Sequence, residues 1–129
     1  MKQTLFKYLL TTARRDGINN IFIGTFIHLN DLIALYEHNE RYSLPWIELN
    51  KDEKFDDAIS RLVATDFTVL RYVGKFDFDN MRQFNFEVEV KSTINKFVWL
   101  KLQDISRIDL APYTAKLLKN IRKQDQIKR

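Results

Sequence analysis

The chain has 129 residues, 45% of them hydrophobic and 13% aromatic, with only three glycines and two prolines; that length suits one domain and that composition excludes a disordered or low-complexity polymer. It has no cysteine, which excludes disulfides, thiolate zinc sites and thiol nucleophiles. The formal net charge is +4, but residues 116–129 hold six basic side chains and one acid, leaving 15 basic and 16 acidic side chains in the rest of the chain.

Residues 3–15 place Leu5, Phe6, Leu9, Leu10 and Ala13 close to helical spacing, and Gly17 stands where a helix would stop. Residues 18–27 are β-branched and aromatic on both alternating faces, the pattern of a strand buried on both sides. The stretch 18–29 also contains Asn19, Asn20, Thr25 and His28, and it falls short of the roughly 20 apolar residues that a membrane span needs. Lys7 interrupts the apolar residues at the N-terminus, so no export signal is expected and the cytosol is the expected compartment.

Asn30-Asp31 reads as an N-cap and a first-turn acid, predicting a short helix over 30–38. Residues 39–45 read as a loop, and 46–49 as a short strand or turn. Asn50 and Glu53 resemble a capping box ahead of Phe55, Ala58, Ile59, Leu62 and Val63, predicting a helix over 52–64. Residues 67–76 read as a strand and 77–80 as a turn. Beyond it, Phe84, Phe86, Val88 and Val90 alternate with Asn85, Glu87, Glu89 and Lys91, the signature of a strand with one buried face. A third strand is expected at 97–102, one or two helical turns at 104–110, and a last helix opened by Pro112.

The fold class expected is α+β, a small single domain in which an antiparallel hairpin or three-stranded sheet is packed by helices. A body spans 1–111, and 112–129 form a basic C-terminal helix or tail. The order of segments 3–15, 21–27, 30–38, 52–64 and the hairpin 67–76/83–91 resembles that of a winged-helix domain. The resemblance implies a recognition helix at 52–64 and a hairpin that reaches a nucleic-acid backbone. Four acids on that helix (Asp52, Glu53, Asp56 and Asp57) oppose phosphate binding, whereas Lys51, Lys54 and Arg61 favour it.

Glu89 and Lys91 near the end of a strand, with Asp77 and Asp79 before it, resemble the core of PD-(D/E)xK nucleases. That likeness implies a metal-dependent nuclease; the bland alternative for the same residues is the wet face of a strand. His28 and His38 lack zinc-site spacing, so no metal site, cofactor or catalytic residue is assigned.

The function expected is a non-enzymatic cytosolic protein that associates with nucleic acid or a nucleoprotein machine. Lys116, Lys119, Arg122, Lys123, Lys128 and Arg129 would carry the electrostatics, with Arg61 and Arg71 as further contacts. The alternative is a protein-binding inhibitor, adaptor or immunity-type factor, anchored by Trp46 if that ring is exposed.

Overall fold

The computed structural model describes residues 2–112 and 114–119. Helix α1 (Lys2–Arg15) buries Phe6, Leu9 and Ala13. Gly17 ends it with φ +75, and the bonds Ile18 N–H to Ala13 O (2.9 Å) and Gly17 N–H to Arg14 O (3.1 Å) form a Schellman motif. This closure turns the chain directly into β1 (Asn20–Leu29), whose Ile21, Ile23 and Phe26 to Ile27 are buried.

The predicted helix over 30–38 is instead a strand, β2 (Leu32–His38), paired with β1 through His28↔Ile33 and Leu29↔Leu32. Asn30-Asp31 is therefore a two-residue hairpin turn, with Asn30 at φ +56. Asn and Asp serve a left-handed turn as well as a helix cap, so only the long-range partners of β2 decide between them. A second tight turn follows at Asn39-Glu40, both at positive φ, and leads to β3 (Arg41–Ser43). Then β4 (Trp46–Glu48) returns alongside the first half of β1, with Gly24↔Trp46 and Phe22↔Glu48 in register.

β1 thus forks. Its last residues pair with β2 and its first half with β4, and Thr25 holds the branch point. Both its N–H (2.8 Å) and its buried hydroxyl (2.9 Å) donate to the Pro45 carbonyl.

Helix α2 (Phe55–Val63) begins three residues later than the capping pattern predicts. Glu53 does accept the Asn50 N–H at 3.0 Å, but Asp52 sits at φ +64, so the pair closes a loop rather than a helix end. Burial of Phe55, Ala58, Ile59, Leu62 and Val63 fastens α2 to the sheet, each large apolar side chain contributing about 1.5–3 kcal/mol. Ala64, at φ 55, terminates it.

Strands β5 (Phe67–Phe78) and β6 (Met81–Val90) form the predicted hairpin, with Phe84, Phe86, Val88 and Val90 buried as the alternation requires. The other face of β6 is drier than expected, since Asn85 is fully buried. β6 then pairs in parallel with β1, from Asn20↔Met81 to His28↔Glu89. β7 (Val98–Lys101) joins β2 rather than the hairpin, and a 3-10 helix (Leu102–Arg107) leads to β8 (Asp109–Leu110) beside β3.

The result is an eight-stranded mixed sheet in the order β5-β6-β1-β2-β3-β8, with β4 and β7 on branches. α1 and α2 share a core on one face with Ile23, Ile27, Phe84 and Phe86. The opposite face, with Phe26, Ile33, Leu35 and Val73, packs Leu117 and Leu118 of the helical residues 114–119. The expectation of a hairpin or three-stranded sheet in winged-helix order is thereby corrected: what reads locally as helix, loop and turn between residues 30 and 49 adds three strands to the sheet. Among the described residues, no helix is long and apolar enough to cross a membrane.

Candidate functional site

α1, the entry to β1 and the β4–α2 loop enclose a cleft of about 990 Å³. Its floor is apolar, formed by Phe6, Leu10, Ile18, Ile21, Leu49 and Phe55. Its walls carry Lys7 and Arg14, one from each half of α1, and Lys51 and Lys54 from the loop. All four cations are exposed, and the ion pairs of the described residues include none of them. The acids on the wall are Glu48, Asp52 and Glu53.

Glu53 is not free. Arg61 reaches back from α2 and donates through Nη2 to its Oε1 (2.9 Å) and through Nε to its Oε2 (3.1 Å). The same Nη2 lies 2.9 Å from the Glu48 carbonyl oxygen, tying β4 to the loop and to α2. The guanidinium lowers the Glu53 pKa below the ordinary carboxylate range, and the carboxylate raises that of Arg61 in return. This two-point grip fixes the loop that carries Lys51 and Lys54.

A second clamp closes the neighbouring end of the sheet. Arg82, almost wholly buried, donates to Asp77 (Nε to Oδ1, 2.6 Å) and to Asp16 (Nη2 to Oδ2, 3.0 Å). It joins the end of the β5–β6 hairpin to the residue after α1, and both carboxylates are held below their usual pKa by it.

None of Arg61, Arg71, Trp46, Lys116 and Lys119, the described residues singled out from sequence as contacts, lines this cleft. Arg61 is spent on Glu53. Arg71 bonds Glu87 (Nε to Oε1, 2.5 Å), whose other oxygen lies 3.0 Å from His28 Nε2, all three side chains being largely covered. Trp46 is 48% exposed and packs edge-on against Phe22, with ring centroids 5.7 Å apart. Lys116 and Lys119 are exposed on the last helix, whereas Arg122, Lys123, Lys128 and Arg129 lie outside the described residues.

The nuclease-like set does not assemble. Asp77 pairs in register with Arg82 and Glu89 with Thr68, and seven residues of strand separate positions 82 and 89, about 23 Å. Asp77 is held by Arg82 and Lys75, and Asp79 lies in the turn at φ +54. Among the described residues, no three His, Cys, Asp or Glu side chains converge as metal ligands.

Sequence reasoning missed the cleft itself. Its cations come one or two at a time from segments about 40 residues apart, and none stands out from ordinary solvated charge. The Glu53–Arg61 spacing was the one local signal, since it pairs an acid before a helix with a base two turns later.

No family model matches the sequence, and no curated protein matches it significantly. The solved structures do. A Nudix-family hydrolase from Clostridium perfringens superposes with a TM-score of 0.67 at 11% identity, covering 84% of this chain and 97% of that one. The fold is Nudix-like. A Nudix hydrolase from Nitrosomonas europaea gives a TM-score of 0.62 at 17% identity, with 81% and 89% covered. A candidate oxidoreductase from Sinorhizobium meliloti gives 0.67 at 14% identity over 85% of this chain, which spans only 40% of that protein's length.

These likenesses correct the expected fold, and with it the winged-helix premise of the expected function. The expectation of a non-enzymatic protein that associates with nucleic acid rests on the basic C-terminal segment and on the winged-helix order of elements. The winged-helix premise fails with the fold, and the solved neighbours that cover more than four-fifths of this chain include two Nudix hydrolases and a candidate oxidoreductase.

Proposed function

We propose that this chain is a hydrolase, in the cytosol, of a small phosphorylated molecule bound in the cleft between α1 and the β4–α2 loop. The observation that carries the reading is the cleft's pairing of an apolar floor with four cations that have no carboxylate partner among the described residues. Unpaired cations converging on one concavity suit an anion with several charges, and the apolar floor suits the remainder of the molecule. The Nudix-like fold supports the reaction class.

In this reading Lys7, Arg14, Lys51 and Lys54 bind the phosphoryl oxygens, and Phe6, Leu10 and Phe55 pack against the rest. Glu53 has both carboxylate oxygens engaged by Arg61, so the water is not assigned to it. Asp52 and Glu48 are the carboxylates left on the wall to orient or deprotonate a water.

The test is product release from a panel of phosphate monoesters, nucleotides and sugar diphosphates by the full chain, repeated with Lys7→Gln/Lys51→Gln. The expected result is turnover of at least one substrate and a loss of about tenfold or more in kcat/KM in the variant, the effect of two lost charged contacts. A folded protein inert toward the whole panel, or a variant as active as the parent, refutes the proposal.

A further inference from the structure

Enzymes that hydrolyse phosphoryl compounds commonly use one or two divalent cations to neutralise the substrate oxygens and activate water. Such an ion needs several hard oxygen ligands aimed at one point. The described residues do not provide them. Among the described residues no cluster of three potential ligands exists. The most promising group of oxygens, the Glu53 carboxylate with the Glu48 carbonyl, is filled by the chain's own cation, the Arg61 guanidinium. A metal ion at that point would have to displace an arginine held by three bonds of 2.9–3.1 Å.

The positive charge lies on the opposite account. Lys7, Arg14, Lys51 and Lys54 surround the cleft without ion-pair partners among the described residues, while Asp52 and Glu48 oppose them and Glu53 is taken by Arg61. We propose that the cleft binds its phosphoanion without a divalent cation, these four side chains supplying the charge that a metal would otherwise bring. The inference rests on the phosphoanion reading above and goes beyond it by removing the ion. Lysine and arginine are point and fork donors for phosphate oxygens, and both act without any ligand cage of their own.

The experiment is isothermal titration calorimetry of the full chain with inorganic tripolyphosphate, once in EDTA and once in excess Mg²⁺. Binding is expected in EDTA, with added Mg²⁺ giving no gain. Lys7→Gln and Lys51→Gln should each weaken it about three- to tenfold, the loss of one charge-assisted contact. Lys116→Gln/Lys119→Gln, on the last helix, should leave it unchanged. That pair is a control for capture of the anion by the basic tail.

Binding that appears only with Mg²⁺ and still needs Lys7 and Lys51 overturns the metal-free inference and leaves the phosphoanion reading standing. No binding under either condition, or binding indifferent to Lys7 and Lys51, overturns both.

Discussion

Gly24 is the position where one added carbon should do the most damage. A Cβ there would lie 2.2 Å from Asn85 Oδ1 and 2.4 Å from Gln83 Nε2. Gln83 is half-buried and can swing aside, but Asn85 is fully buried and has nowhere to go. Moving Asn85 breaks its bond to the Gly74 carbonyl (3.1 Å) and the bond it accepts from Gln83 (2.8 Å). Each neutral hydrogen bond is worth about 1 kcal/mol, and a buried amide left unsatisfied costs about 1–3 kcal/mol. Against this, Gly→Ala stiffens the unfolded chain and returns about 0.4–1 kcal/mol. Gly24→Ala should therefore destabilise by about 2–3 kcal/mol net, lowering Tm by roughly 10 °C for a domain this size. Urea and thermal unfolding of Gly24→Ala, Asn85→Ala and the double variant form a cycle whose coupling should reach about 1 kcal/mol or more, because the two changes share one clash. A Gly24→Ala protein within about 0.5 kcal/mol of the parent, or strict additivity in the cycle, would refute the reasoning.

Other consequences are testable in the same unfolding assay. Arg82→Met should cost about 1–2 kcal/mol, discounted because Asp16 and Asp77 are about 40% exposed and can rehydrate. Asp77 has its pKa depressed in the fold, chiefly by the Arg82 hydrogen bond. Its contribution is thus present above the ordinary carboxylate pKa and lost as pH falls through the depressed one, so Arg82→Met should flatten the acid limb of the stability profile. The same sign holds for Glu53, so Arg61→Met should also flatten that limb; an unchanged acid limb would show that the grip is not formed in solution. Glu40 sits at φ +66 in a two-residue hairpin turn; Glu40→Gly should raise the urea midpoint, by about 0.5–1 kcal/mol in stability, and a drop would contradict the turn geometry.

How much of this was legible in the sequence depends on where each element's evidence lies. α1 and the β5–β6 hairpin carry their own signals: a helical stripe closed by Gly17, and strict alternation across an Asp-Asn turn. β2 does not. Asn30-Asp31 is good chemistry for both a helix cap and a left-handed turn, and Leu32 to Tyr36 satisfies either period over so short a run. What settles it is pairing with β7, nearly 70 residues away. The site was hidden for a related reason. Arg61 reads as a free cation for phosphate until the fold returns it to Glu53, and Lys7 and Lys51 read as ordinary surface until α1 and the loop face each other.

The parallel pairing of β1 with β6 imposes an order of events on the chain. β1 is made within the first 29 residues, yet its partner along one whole edge arrives only at residues 81–90. During synthesis, everything through β5 emerges while that apolar strand still presents a row of unsatisfied amides and carbonyls. Closing the pair spans some 60 residues and so carries a loop-closure cost that no local contact offsets beforehand. A fragment ending near residue 78 would hold most of the helices and strands, but with the middle of its sheet left as an open rim. Such a fragment should recruit a second copy, or a chaperone, at the place where β6 belongs.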